Sequence, residues 1–268
     1  MSSPLRADSG TSRAAPVVAV IDGEIGAGKT TLIKALRAHL TGLGLQVAVV
    51  PEPVDEWERS GILQEFYEDK PPHLRKYVTY EFQIAVLASR VKKAREVVKQ
   101  LPSADVYLLE RSVLTDRFVF MELQRELVGE MRMNLYEEWW DMWAVLMPIL
   151  PTHMVYLKPA IGTCMERVAK RAREGEVGAD DGTTADKSDT DASGRGGVST
   201  AYQKRLRMAH ENFLEGLHSA DFPGIPKRPF DLDKDVLVIG HELADDDFTR
   251  SGEGARRIAE RVTEHLFR

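Results

Sequence analysis

The chain has little cysteine, no long apolar run and no excess of positive charge. Of its 268 residues only Cys164 is a cysteine, so we expect no internal disulfide and a reducing, cytoplasmic environment, with mitochondria as the second choice. No apolar run approaches the roughly 20 residues that a membrane-spanning helix needs, so no membrane partner is expected. The net charge of −6 argues against a nucleic-acid partner, because such proteins present a basic surface.

Two segments lack the apolar residues that a folded core needs. Residues 1–15 have no hydrophobic stretch of the kind that a signal peptide contains, and we expect a disordered tail there. Residues 179–197 are rich in Asp, Gly, Ser and Thr and contain no large apolar side chain. Such a segment cannot bury enough surface to fold, so we expect a disordered insertion.

The remaining sequence alternates strand-like and helical patterns. Short β-branched and aliphatic runs predict strands at 17–21, 45–50, 106–109, 153–157 and 236–239. Because helical patterns separate them, the strands should pair in parallel within an α/β fold. Ligands of such sheets bind at the carboxyl ends of the strands, so the five segments that follow the strands should face one crevice.

A phosphate-binding motif follows the first predicted strand. Residues 21–32 read IDGEIGAGKTTL and match G-x-x-x-x-G-K-[ST], with a helical pattern directly after. In this motif backbone N–H groups cradle phosphates at a helix N-terminus. The lysine reaches the β/γ-phosphates and the hydroxyl ligates Mg²⁺. We therefore expect ATP and Mg²⁺ to bind here, at Gly23, Glu24, Ile25, Gly26, Ala27, Gly28, Lys29, Thr30 and Thr31.

Charged residues follow two further predicted strands. Glu52 comes directly after the second, where a carboxylate could orient an acceptor hydroxyl and take its proton. Glu110 and Arg111 come directly after the third, where the acid suits Mg²⁺ and the arginine can bind phosphate oxygens. A solvated loop acid is the plain alternative for Glu52. No Asn-Lys-x-Asp motif occurs, so a switch GTPase is not favoured.

A cluster of arginines precedes the insertion. Arg167 and Arg171 are four residues apart on one helical face, and Arg173 follows near the helix end. Mobile arginines can stabilise the charge that spreads over a phosphoryl group during transfer. A lid at about 165–178 is one interpretation, and a solvated basic face is the other.

Several motifs in order resemble one enzyme family. GEIGAGKT, PEPV with Trp57 five residues after Glu52, FQ, ERSVLTDRFVF and CMERVAKRARE resemble the deoxyribonucleoside kinases, especially the deoxycytidine/deoxyguanosine branch. The resemblance implies one kinase domain over 16–268, with a five-stranded parallel sheet, a lid and a homodimer. It implies transfer of the ATP γ-phosphate to the 5′-hydroxyl of a deoxyribonucleoside.

The resemblance also implies roles for individual residues. Glu52 would contact the 5′-hydroxyl, Glu110 would lie near Mg²⁺ or act as the base instead, and Arg111 would contact the 5′-end. Further substrate contacts are implied for Trp57, Tyr67, Phe82, Gln83, Arg90, Asp116, Phe120 and Glu176. The lid arginines would be Arg167, Arg171 and Arg173, and Asp247 with Phe248 would touch the adenine of ATP.

Residue spacing supports part of this assignment. Gln83 and Arg90 are seven apart on a helical pattern and so share one face, from which the amide could pair with a base edge. Arg90 with Asp116 could equally form a structural ion pair. Trp57, expected on a loop after PEPV, is the best candidate for an aromatic wall of the pocket.

Two rival functions stay open. A thymidylate-type monophosphate kinase shares the phosphate loop and lid, but PEPV with Trp57 and the ERS motif fit nucleoside kinases better. A non-catalytic subunit built on this fold should have lost part of the site. Lys29, Thr30, Glu52, Arg111 and the lid arginines are all present.

Overall fold

A computed structural model describes residues 15–171, 198–216, 232–240 and 252–268. The predicted insertion at 179–197 and all but the last residue of the predicted tail at 1–15 lie outside the described residues. In the described ranges no helix is both long and apolar enough to cross a membrane.

Five parallel strands form the central sheet, which confirms the predicted α/β fold. Their spatial order is β2-β3-β1-β4-β5. The strands are β1 (Val17–Gly23), β2 (Val47–Val50), β3 (Val106–Glu110), β4 (His153–Leu157) and β5 (Val236–Ile239). The second strand is two residues shorter at its start than the pattern predicted. In the parallel register Ile21 lies beside Glu110, and Gly23 lies beside Leu157, so strand ends that carry polar residues meet at one edge.

Helices cover both faces of the sheet. They are α1 (Lys29–Gly42), α2 (Val54–Arg59), α3 (Ile62–Tyr67), α4 (Pro72–Gln100), α5 (Val113–Thr115), α6 (Arg125–Val128), α7 (Glu130–Val145), α8 (Ile161–Arg171), α9 (Thr200–Gly216), α10 (Leu232–Asp235) and α11 (Glu253–Leu266). Between α5 and α6 the chain forms a π-helical turn over Asp116–Met121 and a 3₁₀ turn over Glu122–Gln124.

Alternating side chains of the strands build two cores. Val18 and Val20 of β1 point to the face covered by α2, α3, α4, α7 and α9. Ala19 and Ile21 point to the opposite face, where α1 and α11 pack against the sheet. Because both faces are buried, the strands read as nearly continuous apolar runs, as is typical of parallel sheets.

The long helix α4 packs one face into the core that contains Val18 and Val20. Proline at its first position suits a helix start, because the missing N–H would have no intrahelical partner there. Its buried face includes Gln83, Val86 and Arg90, which are spaced three and four residues apart, together with Phe82. This spacing directs the Gln83 amide and the Arg90 guanidinium to the same side of the helix.

The tryptophan-rich helix α7 is only partly a core helix. Trp140 is buried, and its Nε1–H donates a hydrogen bond of 2.7 Å to the carbonyl of Val113. The neighbouring Trp139 is 44% exposed. The tryptophans of this helix are therefore divided between the core and the outer surface.

Candidate active site

The phosphate loop connects β1 to α1. Gly26 and Gly28 have φ angles of 84° and 101°, a backbone region that disfavours side chains. A Cβ at Gly26 would also collide with the carbonyl of Cys164 in α8, so only glycine fits this close approach. The ammonium of Lys29 donates to the carbonyls of Glu24 and Gly23 at 2.9 and 3.2 Å. The lysine is thus folded back into the loop.

Burial shifts the protonation of Lys29. Desolvation, helped by the nearby Arg111 charge, lowers the pKa of Lys29 from 10.5 to about 8, although Glu52 and Glu110 oppose this shift. A phosphate in the loop would supply negative charge beside the ammonium. Anion binding should therefore raise this pKa again.

Oxygen donors from two strand ends meet beside the loop. The Thr30 hydroxyl donates to Glu110, with distances of 2.9 and 3.1 Å to its two carboxylate oxygens. Hydroxyl and carboxylate oxygens next to a phosphate loop are the donor set that Mg²⁺ prefers. Among the described residues there is no cluster of three His, Cys, Asp or Glu side chains that could form a separate metal centre.

Glu52 lies between two buried arginines. Its Oε1 accepts hydrogen bonds from Arg111 Nη1 at 2.8 Å and from Arg90 Nη2 at 3.2 Å. Burial alone would raise the pKa of Glu52, but the charges of Arg111 and Arg90 outweigh it and lower the pKa to about 2. Glu52 is therefore a carboxylate at neutral pH.

Arg111 is held in an unusual backbone conformation. Its φ of 64° makes it the one described non-glycine residue in the left-handed region. Its Nη2 donates to the carbonyl of Gly23 at 3.1 Å, and its guanidinium lies 4.6 Å from the ring centroid of Phe120. These contacts offset the backbone strain, which is of order 1–3 kcal/mol for such residues.

Arg90 and Asp116 form a buried ion pair. Arg90 Nε donates to Asp116 Oδ2 at 2.7 Å, and Arg90 Nη1 donates to the carbonyl of Glu110 at 2.7 Å. Burial raises the pKa of Asp116 although Arg90 opposes that rise. Arg90 therefore links the base-end candidate Asp116 to Glu52 and β3.

These groups surround one cavity of about 260 Å³. The sequence-predicted residues that line it are Ile25, Gly26, Lys29, Thr30, Glu52, Trp57, Tyr67, Phe82, Gln83, Arg90, Glu110, Arg111, Asp116, Phe120 and Arg171. The volume falls near the lower end of small-molecule sites. The structure thus brings the phosphate loop and most of the predicted acceptor residues together.

The aromatic wall differs from the prediction in one respect. Trp57 lies in helix α2 and not on a loop, because proline precedes a first helical turn that carries two acids, which favours a helix start. Its indole N–H donates to Ser89 at 2.9 Å, and its ring meets Phe82 edge-on with centroids 5.8 Å apart. Sequence reasoning missed Phe66, which lines the cavity and stacks on Phe82 at 4.3 Å.

Other predicted residues lie outside the cavity wall. Arg167 of α8 donates a hydrogen bond of 3.2 Å to the carbonyl of Ala27, behind the loop. The remaining loop residues that do not line the cavity are Gly23, Glu24, Ala27, Gly28 and Thr31. Arg173, Glu176, Asp247 and Phe248 lie outside the described residues.

The expectation that five strand ends face one crevice was too broad. The segments after β1, β2 and β3 line the cavity. Lys158, directly after β4, pairs instead with Glu211 of α9, and the described Gly240 after β5 does not reach the cavity wall. The reason is that the cavity lies on the β2–β3–β1 side of the sheet.

A buried polar network behind the loop escaped sequence reasoning. Asp22 of β1 lies 3.2 Å from His210 Nε2, accepts a hydrogen bond from the Thr115 hydroxyl, and lies 3.7 Å from Arg111 Nε. Burial would raise the pKa of Asp22, but His210, Arg111 and Thr115 hold it well below its usual range. The only signal in the sequence was an acid inside an otherwise apolar strand.

Comparisons with known proteins identify one family. Residues 19–181 match the family model described as deoxynucleoside kinase. The chain is 31% identical to deoxycytidine kinase 2 of Gallus gallus over 235 residues, which cover 78% of each chain. It is 28% identical over 158 residues to a probable deoxycytidine kinase of fowlpox virus, covering 58% of this chain and 62% of the viral one. It is 30% identical over 167 residues to a thymidine kinase of ictalurid herpesvirus 1, covering 60% and 67% of the two chains.

Proposed function

The chain belongs to the deoxynucleoside kinase family and is a kinase, and from this premise we propose the reaction that it catalyses. It transfers the γ-phosphate of ATP to the 5′-hydroxyl of a deoxyribonucleoside, in nucleotide salvage. One observation carries the proposal: the carboxylate of Glu52 and the phosphate-loop residues Lys29 and Thr30 line the same cavity. A hydroxyl acceptor and a polyphosphate donor can therefore meet inside it.

Glu52 is proposed to orient the acceptor and to receive its proton. A carboxylate with a pKa of about 2 is a weak base. Phosphoryl transfer passes through a loose transition state in most analyses, so little activation of the nucleophile is needed before the bond forms. Positioning of the hydroxyl is then the main task of Glu52, and the proton follows late.

Arg111 and Lys29 supply positive charge on either side of the transferred group. Both side chains are buried, and charges in a site shielded from water stabilise developing negative charge more strongly than charges in water do. Arg111 already bonds Glu52 and the Gly23 carbonyl, so it bridges the acceptor side and the donor side.

The Thr30 hydroxyl and the Glu110 carboxylate would hold Mg²⁺ together with the donor phosphates. When bound, the ion would neutralise part of the phosphate charge. The Thr30 hydroxyl lies within hydrogen-bond distance of both Glu110 oxygens, which supports a metal-side role for Glu110, and Glu52 is proposed as the proton acceptor.

The base end of the cavity is proposed to favour deoxycytidine and purine deoxynucleosides over thymidine. Gln83 offers an amide donor and acceptor, and the charged pair of Arg90 and Asp116 lies near it on the cavity wall. A thymine methyl would meet these charged groups without a partner. Relatives with the names deoxycytidine kinase and thymidine kinase both match the chain, so base preference needs direct measurement.

The remaining assignments rest on the resemblance to this family. Tyr67 and Glu176 are proposed to hold the 3′-hydroxyl, and Asp247 with Phe248 to touch the adenine. The arginines at 167, 171 and 173 are proposed to act as lid residues.

A homodimer is proposed from the outer face of α7. Met131, Leu135, Trp139 and Met142 are all exposed and recur every three or four residues, so they form one apolar stripe. Sedimentation of the wild type and of Trp139→Glu tests this. We expect a dimer that the charge disrupts, and a monomeric wild type would contradict the proposal.

An acceptor panel tests the proposed reaction. Purified protein with Mg²⁺ and ATP is given each of the four common deoxynucleosides and, separately, their 5′-monophosphates. We expect monophosphates to form from nucleosides. Turnover of monophosphates alone would indicate a thymidylate-type kinase, and no turnover of either class would indicate a non-catalytic protein.

A further inference from the structure

Helix α9 holds the phosphate loop from behind with three polar side chains. Gln203, Arg207 and His210 lie four and three residues apart and so share one face of the helix. Gln203 Nε2 donates to the carbonyl of Ile25 at 2.6 Å, and His210 reaches Asp22. The middle residue, Arg207, contacts the carboxylate of Glu24 in the phosphate loop.

Arg207 pairs with a carboxylate that belongs to the phosphate loop itself. Arg207 Nε donates to Glu24 Oε1 at 2.7 Å, and the Tyr156 hydroxyl donates to the same oxygen at 2.9 Å. Glu24 is fully buried, with 0% of its surface exposed. Its second oxygen, Oε2, has no hydrogen-bond partner among the described residues.

A buried carboxylate in a phosphate loop disfavours anion binding, because its negative charge repels the anion. Its charge lies in the same eight-residue motif as Lys29, and little water screens it. The Lys29 ammonium makes no ion pair with the Glu24 carboxylate and bonds the Glu24 and Gly23 carbonyls instead. Neutralisation of Glu24 must therefore come from Arg207.

We propose that Arg207 is a positioning residue for the phosphate donor, which acts by cancelling the charge of Glu24. With Arg207 in place, a polyphosphate meets a loop whose net local charge is set by Lys29. Without it, the polyphosphate meets a buried negative charge in its own binding loop. This inference deepens the proposed function and rests on it for the identity of the donor.

A purely structural role for the ion pair of Arg207 and Glu24 can be distinguished from the proposed effect on the charge of the loop. If the pair only shaped the loop, removing either partner would distort the loop and weaken anion binding. If the pair sets the charge of the loop, the two single changes act in opposite directions. Removing Arg207 weakens binding, and removing the charge of Glu24 strengthens it.

The test measures binding of Mg²⁺-ATP and of Mg²⁺-tripolyphosphate by calorimetry in the full chain. The variants are Arg207→Met, Glu24→Gln and the double variant, with Lys204→Met as a control that removes an exposed cation from the same helix. We expect Arg207→Met to bind both anions on the order of 10- to 100-fold more weakly. Glu24→Gln should bind both anions more tightly than the wild type, and the double variant and the control should be close to the wild type.

Loss of a single partner from a buried ion pair can unfold a protein. Two further variants therefore keep the proposal testable if Arg207→Met is unstable. If Arg207→Met does not fold, Glu24→Gln and the double variant carry the comparison, since the amide oxygen introduced by Glu24→Gln can still accept the Tyr156 hydrogen bond. Unchanged or weaker anion binding in Glu24→Gln, or wild-type binding in a folded Arg207→Met, overturns the proposal.

Anion binding needs no turnover, so this test stands apart from the kinase assay. Opposite shifts in the two single variants support the role of Arg207 even if no deoxynucleoside is phosphorylated. Turnover of deoxynucleosides combined with equal losses in both single variants would leave the proposed function intact and remove this inference.

Discussion

Glu52 and Arg111 are joined by a 2.8 Å hydrogen bond between the carboxylate Oε1 and the guanidinium Nη1, inside the cavity wall. They come from different strand ends and are separated by 59 positions in the sequence. Arg111 also bonds the carbonyl of Gly23, at the start of the phosphate loop. One side chain thus connects the group assigned to the acceptor with the loop assigned to the donor.

Replacement of Lys29 by alanine should abolish phosphoryl transfer while the fold is kept. The Lys29 ammonium bonds two backbone carbonyls of the loop and the side chain lines the cavity, so its loss removes charge for the phosphates and little core packing. We expect a fall in kcat/KM of roughly 10²-fold or more. Lys34→Ala, an exposed lysine of the same helix, is the matched control. Near-normal turnover in Lys29→Ala would contradict the kinase mechanism.

The protonation of Lys29 should depend on the donor. Because burial lowers the pKa of free Lys29 to about 8, roughly half of the ammonium groups are neutral near that pH. A bound polyphosphate favours the charged form, so donor binding should take up about half a proton near pH 8. Calorimetry in buffers of different ionisation enthalpy measures this uptake. At about pH 6.5 the lysine is already charged, and the uptake from it should vanish.

The same titration in Lys29→Met supplies the control for the proton count. Uptake near pH 8 that persists in this variant would come from another group. In that case the lowered pKa of Lys29 would have no part in donor binding.

Glu52→Gln should reduce turnover more than it reduces nucleoside binding. The amide keeps the shape of the side chain but cannot accept a proton as the carboxylate does. We expect kcat to fall by roughly the 10²–10⁴ typical of general-base loss. Glu56→Gln removes a carboxylate of α2 that pairs with surface lysines outside the cavity, and it should have little effect.

The Glu110→Gln variant distinguishes the role of the Glu110 carboxylate from that of the Glu52 carboxylate. Loss of this carboxylate should raise the Mg²⁺ concentration needed for half-maximal turnover, because Glu110 is assigned to the metal side with Thr30. If Glu110→Gln alone lowered kcat at saturating Mg²⁺ and Glu52→Gln did not, the two roles would be reversed.

Arg90→Met combined with Asp116→Ala should shift base preference towards thymidine. The two residues are changed together, because either charge alone would be left buried without its 2.7 Å partner. Arg90 also bonds Glu52, so absolute turnover should fall for every nucleoside. The ratio of kcat/KM for thymidine and deoxycytidine should move by about 1–3 kcal/mol towards thymidine. An unchanged ratio would make the pair purely structural.

The parts of the fold that local patterns encode could be predicted from the sequence. Buried parallel strands read as apolar runs, and a phosphate loop has a fixed glycine spacing, so the five strands and the loop lay close to their predicted positions. The shared face of Gln83 and Arg90 followed from helical geometry. Trp57 was misplaced because prolines on either side of Glu52 resemble a loop, whereas the second of them begins a helix.

Long-range polar contacts could not be predicted in this way. His210 meets Asp22 across 188 positions, and Arg207 meets Glu24 across 183. No local pattern records which helix packs behind a loop, since that depends on how the whole chain crosses the sheet. The sequence predicts Arg90 as a substrate contact or a partner of Asp116, but the bond of Arg90 to Glu52 depends on how α4 packs against the sheet.

The central claim is that this cavity passes a phosphate to the 5′-hydroxyl of a nucleoside. The most direct measurement gives the wild-type protein ATP labelled in its γ-phosphate, with deoxycytidine or with its 5′-deoxy analogue as acceptor, and locates the label by phosphorus NMR. We expect the label to appear on the 5′-oxygen of deoxycytidine, and we expect the 5′-deoxy analogue to stay unlabelled. Label on the analogue, or no label on the 5′-oxygen of deoxycytidine, would contradict it.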